Sequence, residues 1–99
     1  MYLDNYINEI RKLCQANSVR TLYAFGSVLT DRFNAESDID LLVDIEAEGY
    51  KDYADSYFNL KFSLEDMLHR KIDLLEERAI RNKYLREELE ETKSLIYGA

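Results

Sequence analysis

The run Ile39-Asp40-Leu41-Leu42-Val43-Asp44-Ile45 constrains this chain more than any other. Its apolar residues fall on both faces of an extended backbone, so it reads as a strand internal to a sheet. Yet Asp38 stands just before it and Asp40 one residue into it. Side chains alternate along a strand, so these two carboxylates point the same way while Ile39 points into the opposite layer. Like charges at the mouth of a hydrophobic strand repel one another and resist desolvation. Their placement calls for something that compensates them.

The rest of the chain arranges itself around that strand. Leu3, Ile7, Ile10, Leu13 and Cys14 recur at helical spacing, which predicts an amphipathic first helix ending near Asn17 and Ser18. From Val19 to Phe25, β-branched, aromatic and aliphatic residues predict a strand that Gly26-Ser27 stops abruptly. A polar loop with a few apolar anchors, residues 28–37, leads into the central strand, and a polar connection at 46–51 leads out of it. Tyr53, Tyr57, Leu60, Leu64, Met67 and Leu68 predict a long helix, with Tyr50, Phe58 and Phe62 widening its apolar side. Lys71-Ile72-Asp73-Leu74-Leu75 predicts a short third strand. From about Glu77 onwards the composition is helix-forming, with Ile80, Leu85, Leu89 and Ile96 on one side. With no proline, repeat or linker, the expected architecture is one small α/β (α+β) domain over residues 1–99. It is a short mixed sheet covered by helices in the order α-β-β-α-β-α.

Alternation in the third strand sets Asp73 apart from Ile72 and Leu74. In suitable register, Asp38, Asp40 and Asp73 converge on one patch of sheet. Two-metal phosphoryl transfer needs such a patch, because carboxylates must hold two Mg²⁺ ions roughly 3.5 to 4 Å apart, and residues i and i+2 of one strand can bridge both. Gly26-Ser27 supplies a complementary half: glycine permits an unusual turn close to a ligand, and backbone N–H groups with a serine hydroxyl bind phosphate oxygens. The plain alternatives are a solvated strand end for Asp38 and Asp40, a polar face on an edge strand for Asp73, and a helix cap at Ser27. The conjunction of strand, Gly-Ser turn, ten residues, strand-borne Asp-x-Asp and a later strand-borne Asp favours the metal reading.

Composition narrows the partners. Twenty acidic residues against 13 basic, a formal charge of -7 and no basic run argue against duplex nucleic acid or an anionic membrane as the main ligand. A nucleotide carried in with a divalent cation stays allowed. No export leader or membrane-length apolar run is read, so the expected location is the cytoplasm. Cys14, alone and within an apolar series, reads as packing rather than as a nucleophile. His69 reads as part of a solvated helix C-terminus, and Tyr53 and Tyr57 as core or interface rather than an adenine platform.

These motifs resemble those of the DNA polymerase beta superfamily of nucleotidyltransferases, whose hallmark is Gly-Ser, ten residues, Asp-x-Asp and a third carboxylate on a later strand. Nearly the whole chain takes part: YAFGS at Tyr23 to Ser27, SDIDLLVD at Ser37 to Asp44, KIDLL at Lys71 to Leu75 and LIYG at Leu95 to Gly98. Within that superfamily the chain is similar to the minimal nucleotidyltransferases, the MNT proteins, which are about this length. The resemblance implies that Asp38 and Asp40 ligate two Mg²⁺ ions. It implies that Asp73 ligates the catalytic one and orients the attacking hydroxyl, and that Gly26 and Ser27 hold the outer phosphates of ATP. It also implies a partner, since many members act as the antitoxin of a HEPN-domain toxin by moving AMP from ATP to a toxin tyrosine. Many relatives carry Arg directly after Gly-Ser where this chain has Val28, which leaves Arg32 and Lys71 as candidates to bind phosphate in its place. The alternatives are a non-catalytic antitoxin that neutralises its partner by occlusion, and a transferase acting on a small molecule, disfavoured because no second domain encloses one. A homo-oligomer is compatible with each.

Overall fold

The computed structural model describes residues 1–98. A 3-10 segment, Tyr2–Tyr6, leads into α1 (Ile7–Ala16), β1 (Val19–Phe25), a 3-10 turn (Gly26–Leu29), β2 (Ile39–Ile45) and α2 (Tyr50–Leu68). β3 (Ile72–Glu76), a 3-10 turn (Glu77–Ala79), α3 (Lys83–Thr92) and β4 (Ser94–Tyr97) follow. The sheet order is β3-β2-β1-β4, with β1 antiparallel to both its neighbours and β2 parallel to β3. β2 is internal, as its pattern requires. Its parallel pairing with β3 follows from α2, whose 19 residues carry the chain back to the end of the sheet where β2 began.

Ile39, Leu41, Val43 and Ile45 are buried on one face of β2 and share a core with Ile10 and Cys14 of α1 and with Leu60, Leu64 and Leu68 of α2. Complete burial of such a side chain stabilises by about 1.5 to 3 kcal/mol. Burial also pushes the Cys14 thiol up to about 12, which makes it an inert packing group, as its sequence position suggested. The other face is built in rows by the register. Phe25, Asp40 and Asp73 form one row, Tyr23, Leu42 and Leu75 the next, and Thr21 and Asp44 the one after. Leu42 is buried there too, and Lys93 lies 4.0 Å from the Tyr23 ring, so chain that follows β3 lies against this second face.

Two expectations need correction. The closing segment is not helical to its end: α3 stops at Thr92, Lys93 is extended, and Ser94–Tyr97 forms β4 against β1. The free edge of β1 recruits these four residues, burying Ile96 beside the sheet rather than on a helix face with Leu89. Nor do Tyr50, Phe58 and Phe62 widen the apolar side of α2, for they are 99%, 49% and 58% exposed. The sheet covers one side of α2 only, so the stripe Leu60, Leu64 and Leu68 is buried while Phe58 and Phe62 stack on each other, 5.8 Å apart, at the surface. His69 closes α2 in the left-handed conformation, exposed, in keeping with a solvated helix end.

Candidate active site

All five residues singled out in the sequence lie at one end of the sheet. β1 runs out where antiparallel β2 begins, so the turn after Phe25 hangs beside the start of β2; β3, parallel to β2, starts at that same end. The register sets Phe25 opposite Asp40 and Asp40 opposite Asp73, which places the two carboxylates side by side on one face. The alternation argued from sequence therefore holds, with Ile39 and Ile72 fully buried in the opposite layer.

Gly26 is demanded twice over. Its φ of +73° lies in the left-handed region, and a Cβ built there would collide with Oδ2 of Asp40 and stand 3.3 Å from its Cγ. Turn and carboxylate can share this space only if residue 26 has no side chain. In the 3-10 turn that follows, the Ser27 carbonyl accepts from the Thr30 amide and the Thr30 hydroxyl, each at 2.9 Å, while the Ser27 hydroxyl takes no part. Ser27 lines a cavity of about 480 Å³ together with Gly26, Thr30 and Arg32 on one side and Leu85, Glu88 and Leu89 of α3 on the other.

The electrostatics are those of like charges held together. The half-buried carboxyl of Asp40 is pushed above the usual range by burial, then by the charges of Asp73 and Asp38, and by a hydrogen bond with Asp73 when it holds a proton. Asp38 is exposed and turned towards Lys71, whose Nζ lies 4.0 Å from its Oδ2. Among the described residues, no Lys or Arg pairs with Asp40 or Asp73, and no three His, Cys, Asp or Glu side chains form a ready-made metal cage. The structure thus brings Asp40 and Asp73 together beside Gly26 and sets Asp38 one step away. One row pair further along the same face, Asp44 is treated differently: Nε of Arg20 lies 3.7 Å and Nη2 of Arg78 3.4 Å from its oxygens. An oxygen-only donor set with unrelieved negative charge and a glycine clearance suits a hard divalent cation such as Mg²⁺.

One residue escaped the sequence reading. Arg70, just after α2, donates from Nη1 to the carbonyls of Asn34 and Ser37, each at 2.8 Å. A basic residue at a helix end is ordinary, and no local signal could reveal partners 36 and 33 residues earlier. Of the two basic residues that could bind phosphate in place of an arginine at Val28, Arg32 lines the Ser27 cavity and Lys71 faces Asp38.

A small mixed sheet with carboxylates paired across its central and edge strands, beside a glycine turn, defines the class as a nucleotidyl-transferring fold of the polymerase beta kind. The family model described as "Polymerase beta, Nucleotidyltransferase" matches residues 8–99, and the chain belongs to that family. It is 34% identical over 79 residues to a Methanocaldococcus jannaschii protein named "Putative protein adenylyltransferase MJ1379", covering 80% of this chain and 76% of that one. A second protein of that organism, "Putative protein adenylyltransferase MJ0128", is 37% identical over the same shares. Among solved structures, one described as a minimal nucleotidyltransferase superposes with a TM-score of 0.78 at 27% identity, covering 94% of this chain and 91% of that one. The MNT antitoxin fold also recurs at lower identity. A complex of a tri-AMPylated Shewanella oneidensis HEPN toxin with its MNT antitoxin gives a TM-score of 0.67 at 21% identity, over 97% of this chain and 72% of that one.

Proposed function

We propose that residues 1–99 form one Mg²⁺-dependent adenylyltransferase domain that moves AMP from ATP to a tyrosine hydroxyl of a HEPN-type toxin in the cytoplasm and so acts as its antitoxin. The observation that carries the chemistry is the pairing of Asp40 with Asp73 beside Gly26, with no Lys or Arg among the described residues paired to either. The names of the M. jannaschii relatives and the toxin-antitoxin complex among the fold neighbours support the acceptor class.

In this reading Asp38, Asp40 and Asp73 would hold two Mg²⁺ ions, which when bound neutralise the carboxylates and the triphosphate. Asp38, exposed and only loosely held by Lys71, can turn towards the other two. Backbone N–H groups of the Gly26 turn and the free Ser27 hydroxyl grip the outer phosphates, with Arg32 on the same cavity wall doing what an arginine at position 28 would do. Asp73, at the exposed edge strand, orients the incoming hydroxyl. The tyrosine oxygen bonds to the α-phosphorus as the bond from that phosphorus to the bridging oxygen breaks, pyrophosphate leaves in line, and the phenolic proton passes to solvent. Positioning and charge neutralisation do this work, so no Cys or His nucleophile is required.

The test is the intact mass of a purified HEPN-type toxin after incubation with this chain, ATP and Mg²⁺. An adenylyl increment on a tyrosine is expected, and none with Asp40→Asn. Neutralisation without any mass change, retained when Asp38 and Asp40 are both replaced by Ala, would establish occlusion instead.

A further inference from the structure

Between Gly26-Ser27 and Asp38 the chain runs through a 3-10 turn and then a loop, so something other than regular secondary structure must fix where Asp38 enters β2. We infer that Arg70 is a positioning residue that clamps the 33–38 loop and thereby sets the place of Asp38 in the site. This rests on the reading of Asp38 as a metal ligand.

Two hydrogen bonds and two aromatic rings converge on its guanidinium. Nη1 donates to the carbonyls of Asn34 and Ser37 together, closing the loop from both ends of its last turn. Within that turn, Ser37 donates its amide to Asn34 O at 3.1 Å, Asn34 donates its amide to the Ser37 hydroxyl at 3.1 Å, and the Glu36 amide donates to the Asn34 side chain at 2.9 Å. The turn is therefore folded on itself and tied to the protein through Arg70. The guanidinium also lies 4.4 Å from the Phe33 ring and 5.0 Å from the Tyr2 ring, and those rings are 5.3 Å apart. Tyr2 belongs to the 3-10 segment Tyr2–Tyr6, so that N-terminal segment helps to hold the clamp.

Next to Arg70, the Lys71 carbonyl accepts from the Ile39 amide at 3.1 Å, the first link between the β3 entrance and β2. Arg70 and Lys71 thus grip residues on both sides of Asp38, one by two loop carbonyls and one by the strand backbone. A lysine at position 70 would keep the charge but lack the planar face and the rigid fork that serve rings and carbonyls at once.

The experiment compares the full chain with Arg70→Ala, Arg70→Lys and Tyr2→Ala, reading calorimetric binding of ATP with MgCl₂ and hydrogen exchange of individual amides. Arg70→Ala should speed exchange at Asn34, Glu36 and Ser37, leave the β1 and β2 amides protected, and raise Kd for Mg·ATP about tenfold, the lower range for losing a group that orients a ligand. Arg70→Lys should not rescue either readout, whereas a role in charge alone would be rescued. Tyr2→Ala should shift both in the same direction by about two- to threefold. Should Arg70→Ala fail to fold, Arg70→Lys and Tyr2→Ala decide. Unchanged loop exchange overturns the clamp, and faster exchange with unchanged Kd overturns its link to Asp38. If the unaltered chain does not bind Mg·ATP, the nucleotide reading fails, while loop exchange still decides whether Arg70 holds the loop.

Discussion

Asp40 and Asp44 occupy one strand and one face, both half-buried, yet the protein around them differs in kind. Asp44 is met by Arg20 and by Arg78, and Arg78 also donates to the Ile45 carbonyl at 2.6 Å. Asp40 is met by Asp73, by the charge of Asp38 and by a glycine whose missing side chain leaves its carboxylate clear. A fold that can neutralise one carboxylate with two arginines and leaves another facing its own kind is not short of cations. What the pair teaches is that Asp44 is neutralised within the scaffold whereas Asp40 is not, the condition that the proposed cation-binding role of Asp40 requires.

The sharpest way to break that contrast is to remove each carboxylate by a near-isosteric change. Asp40→Asn should lower adenylyl transfer on the order of a thousandfold or more, because the charge that organises the site is lost while the shape remains. Asp44→Asn should leave transfer within about twofold of the unaltered rate. Comparable losses in a single-turnover assay would erase the distinction.

Ser27→Ala comes next. Its free hydroxyl supports no local hydrogen bond, so the turn should survive and the melting temperature hold, while kcat/KM for ATP falls about 10- to 100-fold, the loss of one or two hydrogen bonds to a charged group. Kinetics equal to the unaltered chain would return Ser27 to an ordinary turn residue.

For Asp44 the expected effect is on stability. Asp44→Asn leaves two arginines without their carboxylate and should cost about 1 kcal/mol, the upper range for a partly exposed pair, which is roughly a 4 to 8 °C fall in melting temperature for a domain of this size. A denaturant midpoint that does not move would show the arginines to be decoration.

The smallest effect separates the two aspartates by pH. In the metal-free protein the folded pKa of Asp40 lies above its unfolded value, so between the two the folded state holds more protons than the unfolded chain. Stability contributed by this residue is present in acid and lost as pH rises through the raised value. Asp40→Asn should therefore melt slightly higher than the unaltered chain at neutral pH, by no more than about 1 kcal/mol after allowance for solvent screening. The gain should vanish below about pH 4, where both carry a neutral group at position 40. A gain that persists unchanged in acid would mean that repulsion is not its source.

Much of the fold was legible because its signals are local. The apolar residues on both faces of 39–45 announce an internal strand wherever that strand sits, and the burial of Ile39, Leu41, Leu42, Val43 and Ile45 follows from it. The stop at Gly26, the helical spacing of Ile10 and Cys14, and the capping role of His69 are likewise properties of a few adjacent residues. β4 was not legible: Ser94–Tyr97 is too short to show a period, and what makes it a strand is an open edge on β1, far earlier in the chain.

The sequence by itself determined which residues could serve the site: a carboxylate before and within β2, another within β3, and a glycine-serine turn after β1. Side-chain alternation and backbone freedom are intrinsic to each short segment, so no tertiary information was needed to pick them out. Only the tertiary structure decided how they meet. The register that sets Asp40 opposite Asp73, the clearance between Gly26 and Asp40, the two arginines assigned to Asp44 and the clamp of Arg70 on Asn34 and Ser37 all join segments far apart in the chain. Such pairings depend on how strands slide and pack against one another, and a shift of one residue would have moved the same carboxylates to the opposite face.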